Sequence, residues 1–236
     1  MRINYLIILA CIGASFWAWT QVTDAVFAQE NLVFSYENLV AGRVWTLVTA
    51  LFIHASTLHL FGNMLFLFVF GNTLEKMIGR NNHLLVFFVG GLTAFLLSLP
   101  FFPPDTGMLG ASAAIFTTAA GVMLMKPLKF SWIFMMPQGL VAIVYFVYNV
   151  VIVYDPSSVP GFDANVGYIA HIIGFVVGVP FGIAWSTQWK KNLFITVVLF
   201  GVYLGLVAAF AVLFGPQSPI NTFSFGSVFG QSPFHV

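Results

Sequence analysis

Residues 111–125 read ASAAIFTTAAGVMLM and form an apolar run that ends at Lys126. As a helix this run rises about 22 Å, which is short of the bilayer core of about 30 Å. A helix here therefore begins inside the membrane, and the preceding residues 105–110 are expected to be non-helical at membrane depth. Such backbone is tolerated only where protein or a water-filled cavity covers it. The stretch thus predicts a membrane protein with a polar pocket in front of Ser112.

The composition of the whole chain supports a membrane location. Of the 236 residues, 60% are hydrophobic and 6% are charged, with a mean hydropathy of +0.97, whereas soluble domains carry about 25% charged residues. The net charge of +1 offers no basic field for a nucleic acid. The single cysteine, Cys11, excludes an intramolecular disulfide and a four-cysteine metal site. We therefore exclude a soluble globule and predict no metal, no organic cofactor and no nucleic-acid partner.

Seven apolar runs predict an all-α polytopic membrane protein with seven transmembrane helices. The first run competes with a signal peptide, because small Ala28 stands before Gln29 as at a cleavage site. The run reaches Trp19, which is long for a signal peptide and favours a retained helix. Residues 21–57 are amphipathic in patches and are expected to lie in the outer interface. The seven runs cover residues 4–20, 58–74, 83–102, 111–125, 130–154, 166–187 and 192–214.

The basic residues predict the orientation of the chain. If the N-terminus lies on the inner side of the membrane and the crossings alternate, Arg43 is the one basic residue on the outer side. This assignment agrees with the positive-inside rule, by which the inner loops are rich in lysine and arginine. No targeting extension is evident, which favours an integral protein of a prokaryotic plasma membrane. Its N-terminus is then cytoplasmic and its C-terminus external, with residues 215–236 as an external tail. The basic residues of the inside end are Arg2, Lys76, Arg80, Lys126, Lys129, Lys190 and Lys191.

Polar side chains are few within the predicted spans and mark a candidate site, because they are costly in a bilayer. His59 and Asn63 are four residues apart and share one face of the second helix. Counting the rise from the inner helix ends places Asn63, Ser112 and His171 about 18 to 21 Å up, near one level in the outer half of the bilayer. Asn149 on the fifth helix is a further amide, for which we predict no catalytic role.

These groups have the roles that peptide hydrolysis requires. The Ser112 hydroxyl becomes a nucleophile once a base takes its proton, and the imidazole of His171 is the usual base. The developing oxyanion needs preorganised donors, which Asn63, His59 and the backbone N–H of Ser112 can supply. Because no carboxylate lies among these residues, we predict a dyad of Ser112 and His171.

Small residues and one aromatic ring are predicted to support this dyad. Gly174 and Gly178 lie four residues apart after His171 and form a flat face on which the helix of Ser112 can approach. Phe116, one turn after Ser112, is placed to pack against the imidazole.

Together these residues resemble the rhomboid family of intramembrane serine proteases. The resemblance covers roughly residues 1–187. Any one of its motifs is weak, whereas the set, in the right order on the right helices, is specific. The motifs are His54-x4-His59-x3-Asn63, Gly110-Ala111-Ser112-Ala113 and Ala170-His171-x2-Gly174-x3-Gly178.

The resemblance implies a six-helix protease core at residues 1–187, an additional transmembrane helix at 188–214 and the tail at 215–236. It implies that Ser112 attacks the scissile carbonyl, that His171 acts as general base and then acid, and that Asn63, His59 and the Ser112 backbone form the oxyanion hole. His54 and Gly110 belong to the same motifs as supporting residues. The implied partners are membrane lipid and transmembrane protein substrates, admitted by a gate formed by residues 130–154 and the loop 155–165.

Two other function classes stay open. A catalytically silent rhomboid-like protein would bind membrane helices with the same fold, and the presence of both Ser112 and His171 weighs against it. A small transporter would line a path with intramembrane polar groups, but the chain shows no duplicated half and only one short span.

Overall fold

The computed structural model describes residues 2–158 and 166–214, and most of them are helical. Within these ranges five helices are long and apolar enough to span a membrane, and two shorter apolar helices accompany them. The fold is therefore all-α and polytopic, as predicted. The predicted tail at 215–236 and residues 159–165 of the predicted gate loop lie outside the described residues.

The helices follow the predicted apolar runs closely, with one exception described below. The second run is one continuous helical span of residues 57–78 that contains a π-helical turn at Leu67–Gly71. Short 3₁₀ turns follow α7 and α9, at Leu99–Phe101 and Pro156–Ser158. The α-helices are α1 Ile3–Gln21, α2 Ala25–Asn31, α3 Tyr36–Val40, α4 Thr46–Thr49, α5 Thr57–Phe66, α6 Asn72–Ile78, α7 Arg80–Ser98, α8 Ser112–Met125, α9 Gln138–Tyr154, α10 Tyr168–Trp185 and α11 Trp189–Phe214.

The connection between α1 and α5 is built from the short helices α2, α3 and α4. Asp24 caps α2 by accepting the N–H groups of Val26 and Phe27, and Ser35 caps α3, as these residue types do at helix starts. An ion pair of Arg43 with Glu30, at 2.6 Å, joins α2 to the turn between α3 and α4. The connection is thus a folded unit in its own right.

The fifth apolar run departs from the prediction of a helix across 130–154. Residues 130–137 form a hairpin in which β1, Phe130–Ser131, pairs antiparallel with β2, Met136–Pro137, and α9 begins only at Gln138. Pro137 accounts for this, because proline disfavours the helical conformation of the residue before it and lacks an N–H for a helix interior. At the turn of the hairpin Met135 has a positive φ of 54°. The helical part of the predicted gate is therefore residues 138–154.

The short helix α8 is the centre of the bundle. Residues 113–115 and 117–124 are buried, and α10 lies against them through Gly174, Gly178 and Gly182. A Cβ added to any of these glycines would press against α8. The hydroxyl of Thr117 donates to the carbonyl of Gly174 at 2.7 Å, which joins the two helices. The predicted close packing of the fourth and sixth spans is present.

We expect Gly178→Leu to lower the free energy of unfolding by about 1–3 kcal/mol or more, the cost of overpacking a filled core. A Cβ at this position would lie 2.8 Å from the Cβ of Ala120 and would overlap the carbonyl oxygen of Thr117. Thermal unfolding in detergent, followed by circular dichroism, measures the effect.

The matched control for this substitution is Gly201→Leu in α11. Among the described residues nothing lies within 4 Å of a Cβ added at Gly201, and leucine forms helix better than glycine. This variant should melt at or above the temperature of the wild type. Equal losses in both variants would contradict the packing argument.

The start of α1 is fastened to α6 by a buried carboxylate. Glu75 accepts the N–H groups of Ile3 and Asn4 at 2.9 and 3.0 Å. The Asn4 side chain donates to the carbonyl of Leu67 at 3.0 Å, and its Oδ1 lies 3.1 Å from Nε2 of His83. These bonds fix the end of the bundle opposite to Ser112.

Candidate functional site

The loop before α8 holds the start of this helix in place. Met108 pairs with Phe34 of the α1–α5 connection through two backbone hydrogen bonds of 2.7 and 3.0 Å. The N–H of Gly110 donates to the carbonyl of Ala50 at 2.8 Å, and Gly110 has a φ of +105° that glycine adopts most readily. The non-helical backbone predicted before Ser112 is therefore present, and protein covers it at Gly107, Met108 and Gly110.

Ser112 and His171 lie within hydrogen-bond distance across the packed pair α8 and α10. The Ser112 Oγ is 2.8 Å from Nε2 of His171. The ring of Phe116 stacks on the imidazole, with centroids 4.6 Å apart and planes at 10°. The predicted contact of Phe116 with the imidazole is thus present, and it restricts the rotation of the ring.

Asn149 of α9 also contacts the imidazole, a contact that was not predicted from the sequence. Its Oδ1 lies 2.8 Å from Nδ1 of His171, and its Nδ2 donates to the carbonyl of Tyr145 at 2.7 Å. Because the amide nitrogen is engaged there, the amide oxygen faces the ring and can only accept a hydrogen bond. The hydrogen-bond network therefore assigns the proton to Nδ1 and leaves Nε2 as the acceptor for the Ser112 hydroxyl.

Asn149 could be noticed in the sequence because burying an amide in the middle of an apolar span is unfavourable in free energy. Its exposed fraction is 2%. The rotation of α9 relative to α10 cannot be read from the sequence, so the partner of this amide was not evident.

His59 and Asn63 lie together beside Gly110, on the approach to Ser112. A Cβ built on Gly110 would lie 2.9 Å from Nε2 of His59 and 3.5 Å from Nδ2 of Asn63, so the glycine leaves room for both side chains. The Nδ2 of Asn63 is buried and has no hydrogen-bond partner among the described residues. Leaving a buried donor unpaired costs about 1–3 kcal/mol, and a ligand oxygen placed there would relieve this cost.

His54 lies behind the loop and supports its backbone. Its Nε2 is 3.4 Å from the N–H of Ala111, and its Nδ1 is 3.1 Å from Oγ of Ser15, which in turn donates to the carbonyl of Phe52. Burial, and then the nearby His59, lower the pKa of His54 to about 3. The ring is therefore neutral, and it can accept from Ala111 at one nitrogen while it donates to Ser15 at the other.

The structure thus gathers most of the predicted site residues in one place. Gly174 lies against the backbone of Ala113, next to Ser112, whereas Gly178 packs one turn further along α8, against Thr117. Chemically, the arrangement offers a hydroxyl with an adjacent base, an oriented imidazole and, nearby, the buried amide nitrogen of Asn63, which has no hydrogen-bond partner among the described residues. These are the components of nucleophilic acyl transfer. The residues gathered beside Ser112 and His171 are His54, His59, Asn63, Gly110, Phe116 and Asn149.

Comparison with known proteins gives one consistent result. A family model described as Rhomboid domain matches residues 41–188. The chain is similar to rhomboid protease GluP of Bacillus subtilis, at 29% identity over 190 residues, which cover 80% of this chain and 35% of that protein.

Two further relatives agree with this match. Rhomboid protease GlpG of Haemophilus influenzae is 25% identical over 152 residues, covering 64% of this chain and 74% of that protein. Rhomboid-like protein 11, chloroplastic, of Arabidopsis thaliana is 30% identical over 155 residues, which cover 62% of this chain and 54% of that protein. The aligned part thus spans about a third of the first relative and about half of the third.

Proposed function

The chain belongs to the rhomboid family, and on that premise we propose that it is an intramembrane serine endopeptidase. It cleaves transmembrane segments of other membrane proteins with a dyad of Ser112 and His171. The observation that carries the proposal is the 2.8 Å distance between Ser112 Oγ and His171 Nε2, together with a network that leaves Nε2 free of its proton. Similar relatives named as proteases support the same function.

In the proposed reaction Ser112 Oγ attacks the scissile carbonyl while Nε2 of His171 takes the hydroxyl proton. The tetrahedral oxyanion accepts hydrogen bonds from Asn63, His59 and the backbone N–H of Ser112. Collapse of this intermediate breaks the peptide bond, and His171 gives its proton to the leaving amine. A water molecule then hydrolyses the acyl-enzyme, with His171 again as base, which returns Ser112 to its hydroxyl form.

The proposed location is a prokaryotic plasma membrane, with the basic end of the bundle in the cytoplasm. Arg2 precedes α1 and Lys126 follows α8, so both lie at the end opposite to Ser112. This asymmetry supports a cytoplasmic N-terminus by the positive-inside rule. Cleavage would then take place near the external leaflet, and α9 would serve as the gate through which a substrate helix enters.

The proposal is tested by incubating the full chain in liposomes with several transmembrane test substrates. We expect cleavage products on gels and covalent labelling of Ser112 by a fluorophosphonate, located by peptide mass spectrometry. If folded protein neither cleaves any substrate nor takes up the label, a catalytically silent membrane-helix-binding protein becomes the better interpretation.

A separate prediction concerns Asn149 as a positioning residue for His171. We expect Asn149→Leu to lower kcat about 10- to 100-fold, the range found when a metal-binding histidine loses the partner that orients it, with KM little changed. The cause is that the imidazole is no longer held in one tautomer once Nδ1 loses its acceptor. Steady-state cleavage kinetics in detergent measure both constants.

The control for this prediction is Asn149→Asp, which keeps an acceptor oxygen opposite Nδ1. It should retain kcat within about 10-fold of the wild type. If both variants lose activity equally, or if KM rises in place of a fall in kcat, Asn149 acts through the packing of α9 and not through the imidazole.

A further inference from the structure

A basic cavity lies at the end of the bundle opposite to the dyad. It has a volume of about 410 Å³, is open on one side and is lined by the start of α1, by α6 and by the hairpin that precedes α9. The helix α8 separates it from Ser112 by about 21 Å. Its lining contains four cationic side chains and, among the described residues, no carboxylate. The four are Arg2, Lys76, Lys126 and Lys129.

The lining also includes two residues with buried amides, whose oxygens have no hydrogen-bond partner among the described residues. They are Oδ1 of Asn72 and Oε1 of Gln138, on residues with exposed fractions of 8% and 3%. A buried acceptor without a partner is costly. A hydroxyl group would satisfy either orientation of an amide, because it both donates and accepts. The cavity therefore combines positive charge with places for hydroxyl groups.

The hairpin beside the cavity exposes apolar side chains at the same end of the bundle. Trp132 is 79% exposed and Ile133 is 47% exposed, next to Lys129. Exposed apolar side chains beside cations are typical of a membrane interface, where aromatic rings lie at headgroup level. A ligand with an anionic polar head and an apolar tail therefore fits this region better than a free anion does.

We propose that this cavity binds the headgroup of an anionic glycerophospholipid that carries free hydroxyl groups, with the chemistry of phosphatidylglycerol. The cations hold the phosphodiester, as basic pockets between transmembrane helices hold lipid headgroups. The amides of Asn72 and Gln138 bond the glycerol hydroxyls, and the acyl chains lie against the exposed hairpin. Free phosphate esters share the headgroup chemistry and lack the chains.

Native mass spectrometry of the detergent-purified full chain tests this proposal. The protein is incubated with equimolar dioleoyl phosphatidylglycerol, phosphatidic acid and phosphatidylcholine. We expect retention of phosphatidylglycerol at least about five-fold above phosphatidylcholine, because of its charge, and about three-fold above phosphatidic acid, because of its hydroxyls. Equal retention of phosphatidylglycerol and phosphatidylcholine would overturn the proposal, and equal retention of the two anionic lipids would overturn the assignment to hydroxyl groups.

Soluble competitors distinguish a lipid from a free anion. Inorganic phosphate and sn-glycerol 3-phosphate are added in about 100-fold excess over lipid, and retention of phosphatidylglycerol should fall less than about two-fold. If either competitor displaces the lipid, the ligand is a soluble phosphate and the lipid assignment is overturned.

A pair of double variants localises the site. Lys126→Gln with Lys129→Gln removes two cavity cations and should reduce retention of phosphatidylglycerol about 10-fold. Lys190→Gln with Lys191→Gln removes the same charge from the start of α11, outside the cavity lining, and should reduce retention less than about two-fold. Equal effects in the two pairs would show diffuse surface attraction and would overturn the site. All four lysines are exposed, so both variants are expected to fold.

The amide is tested with Gln138→Met, which keeps the length of the side chain and removes its hydrogen-bonding groups. The preference for phosphatidylglycerol over phosphatidic acid should disappear, while retention of both anionic lipids over phosphatidylcholine persists. An unchanged preference would overturn the role of Gln138. The wild-type comparison of the two anionic lipids decides the hydroxyl assignment even if this variant does not fold.

Discussion

Ser112→Ala is expected to abolish peptide cleavage while the bundle keeps its stability. The substitution removes the nucleophile, and loss of a serine nucleophile in serine proteases lowers kcat by on the order of 10⁴-fold or more. Among the described residues, the Ser112 hydroxyl is hydrogen-bonded to a side-chain atom, Nε2 of His171. Removal of the hydroxyl therefore leaves the packing of α8 unchanged. Cleavage of a transmembrane substrate in liposomes and thermal unfolding in detergent measure the two quantities.

The matched control is Ser98→Ala in the neighbouring helix α7. Ser98 is buried and donates to the carbonyl of Ala94 in its own helix at 2.6 Å. This variant should cleave at the rate of the wild type. Residual cleavage by Ser112→Ala above one hundredth of the wild-type rate would point to a different nucleophile.

Asn63→Ala is expected to lower kcat about 10²- to 10³-fold, the usual effect of removing one oxyanion donor. The buried Nδ2 of Asn63 has no hydrogen-bond partner among the described residues. It can therefore donate a hydrogen bond to the substrate oxygen that becomes negatively charged in the transition state. KM should change little, because the donor acts on the developing charge and less on the bound substrate. Initial rates at several substrate densities in liposomes separate the two constants.

Met64→Ala separates this effect from a loss of packing. Met64 is the adjacent residue on α5, is 8% exposed and belongs to the apolar core. Truncation of Met64 to alanine removes more buried volume than truncation of Asn63 does, but it removes no hydrogen-bond donor. It should lower the melting temperature and leave kcat of the folded protein within about three-fold. If Asn63→Ala and Met64→Ala reduce kcat alike, the amide does not stabilise an oxyanion.

The sequence predicted those parts of the structure that depend on hydrophobic length and on local spacing. The run 111–125 was too short for a full span, and α8 indeed occupies Ser112–Met125 behind a non-helical loop. The fold class and the membership of the rhomboid family are confirmed. The roles of Ser112, His171 and the oxyanion residues remain predictions, supported by the distances between them.

Two features of the structure were not predicted from the sequence, for different physical reasons. Residues 130–137 are as apolar as a span, so hydrophobicity alone did not separate their hairpin from α9, although Pro137 carried the necessary signal. Asn149 could be noticed in the sequence as an amide within an apolar span, where a polar group is unfavourable. Its hydrogen bond to His171, however, depends on how α9 is rotated against α10. That rotation is set by side-chain packing across the bundle and has no signature within one helix.

The shortness of α8 has a consequence for the order in which the chain can enter a membrane during synthesis. The non-helical loop before the helix needs covering protein, because unpaired backbone is not tolerated in lipid. Phe34 and Ala50, which pair with that loop, are synthesised before α8, whereas the glycine face of α10 follows it in the chain. Until α10 has been made, one side of α8 lacks its partner. The nascent chain must therefore keep this segment within the insertion machinery or against α7, and integrate it together with its later neighbours.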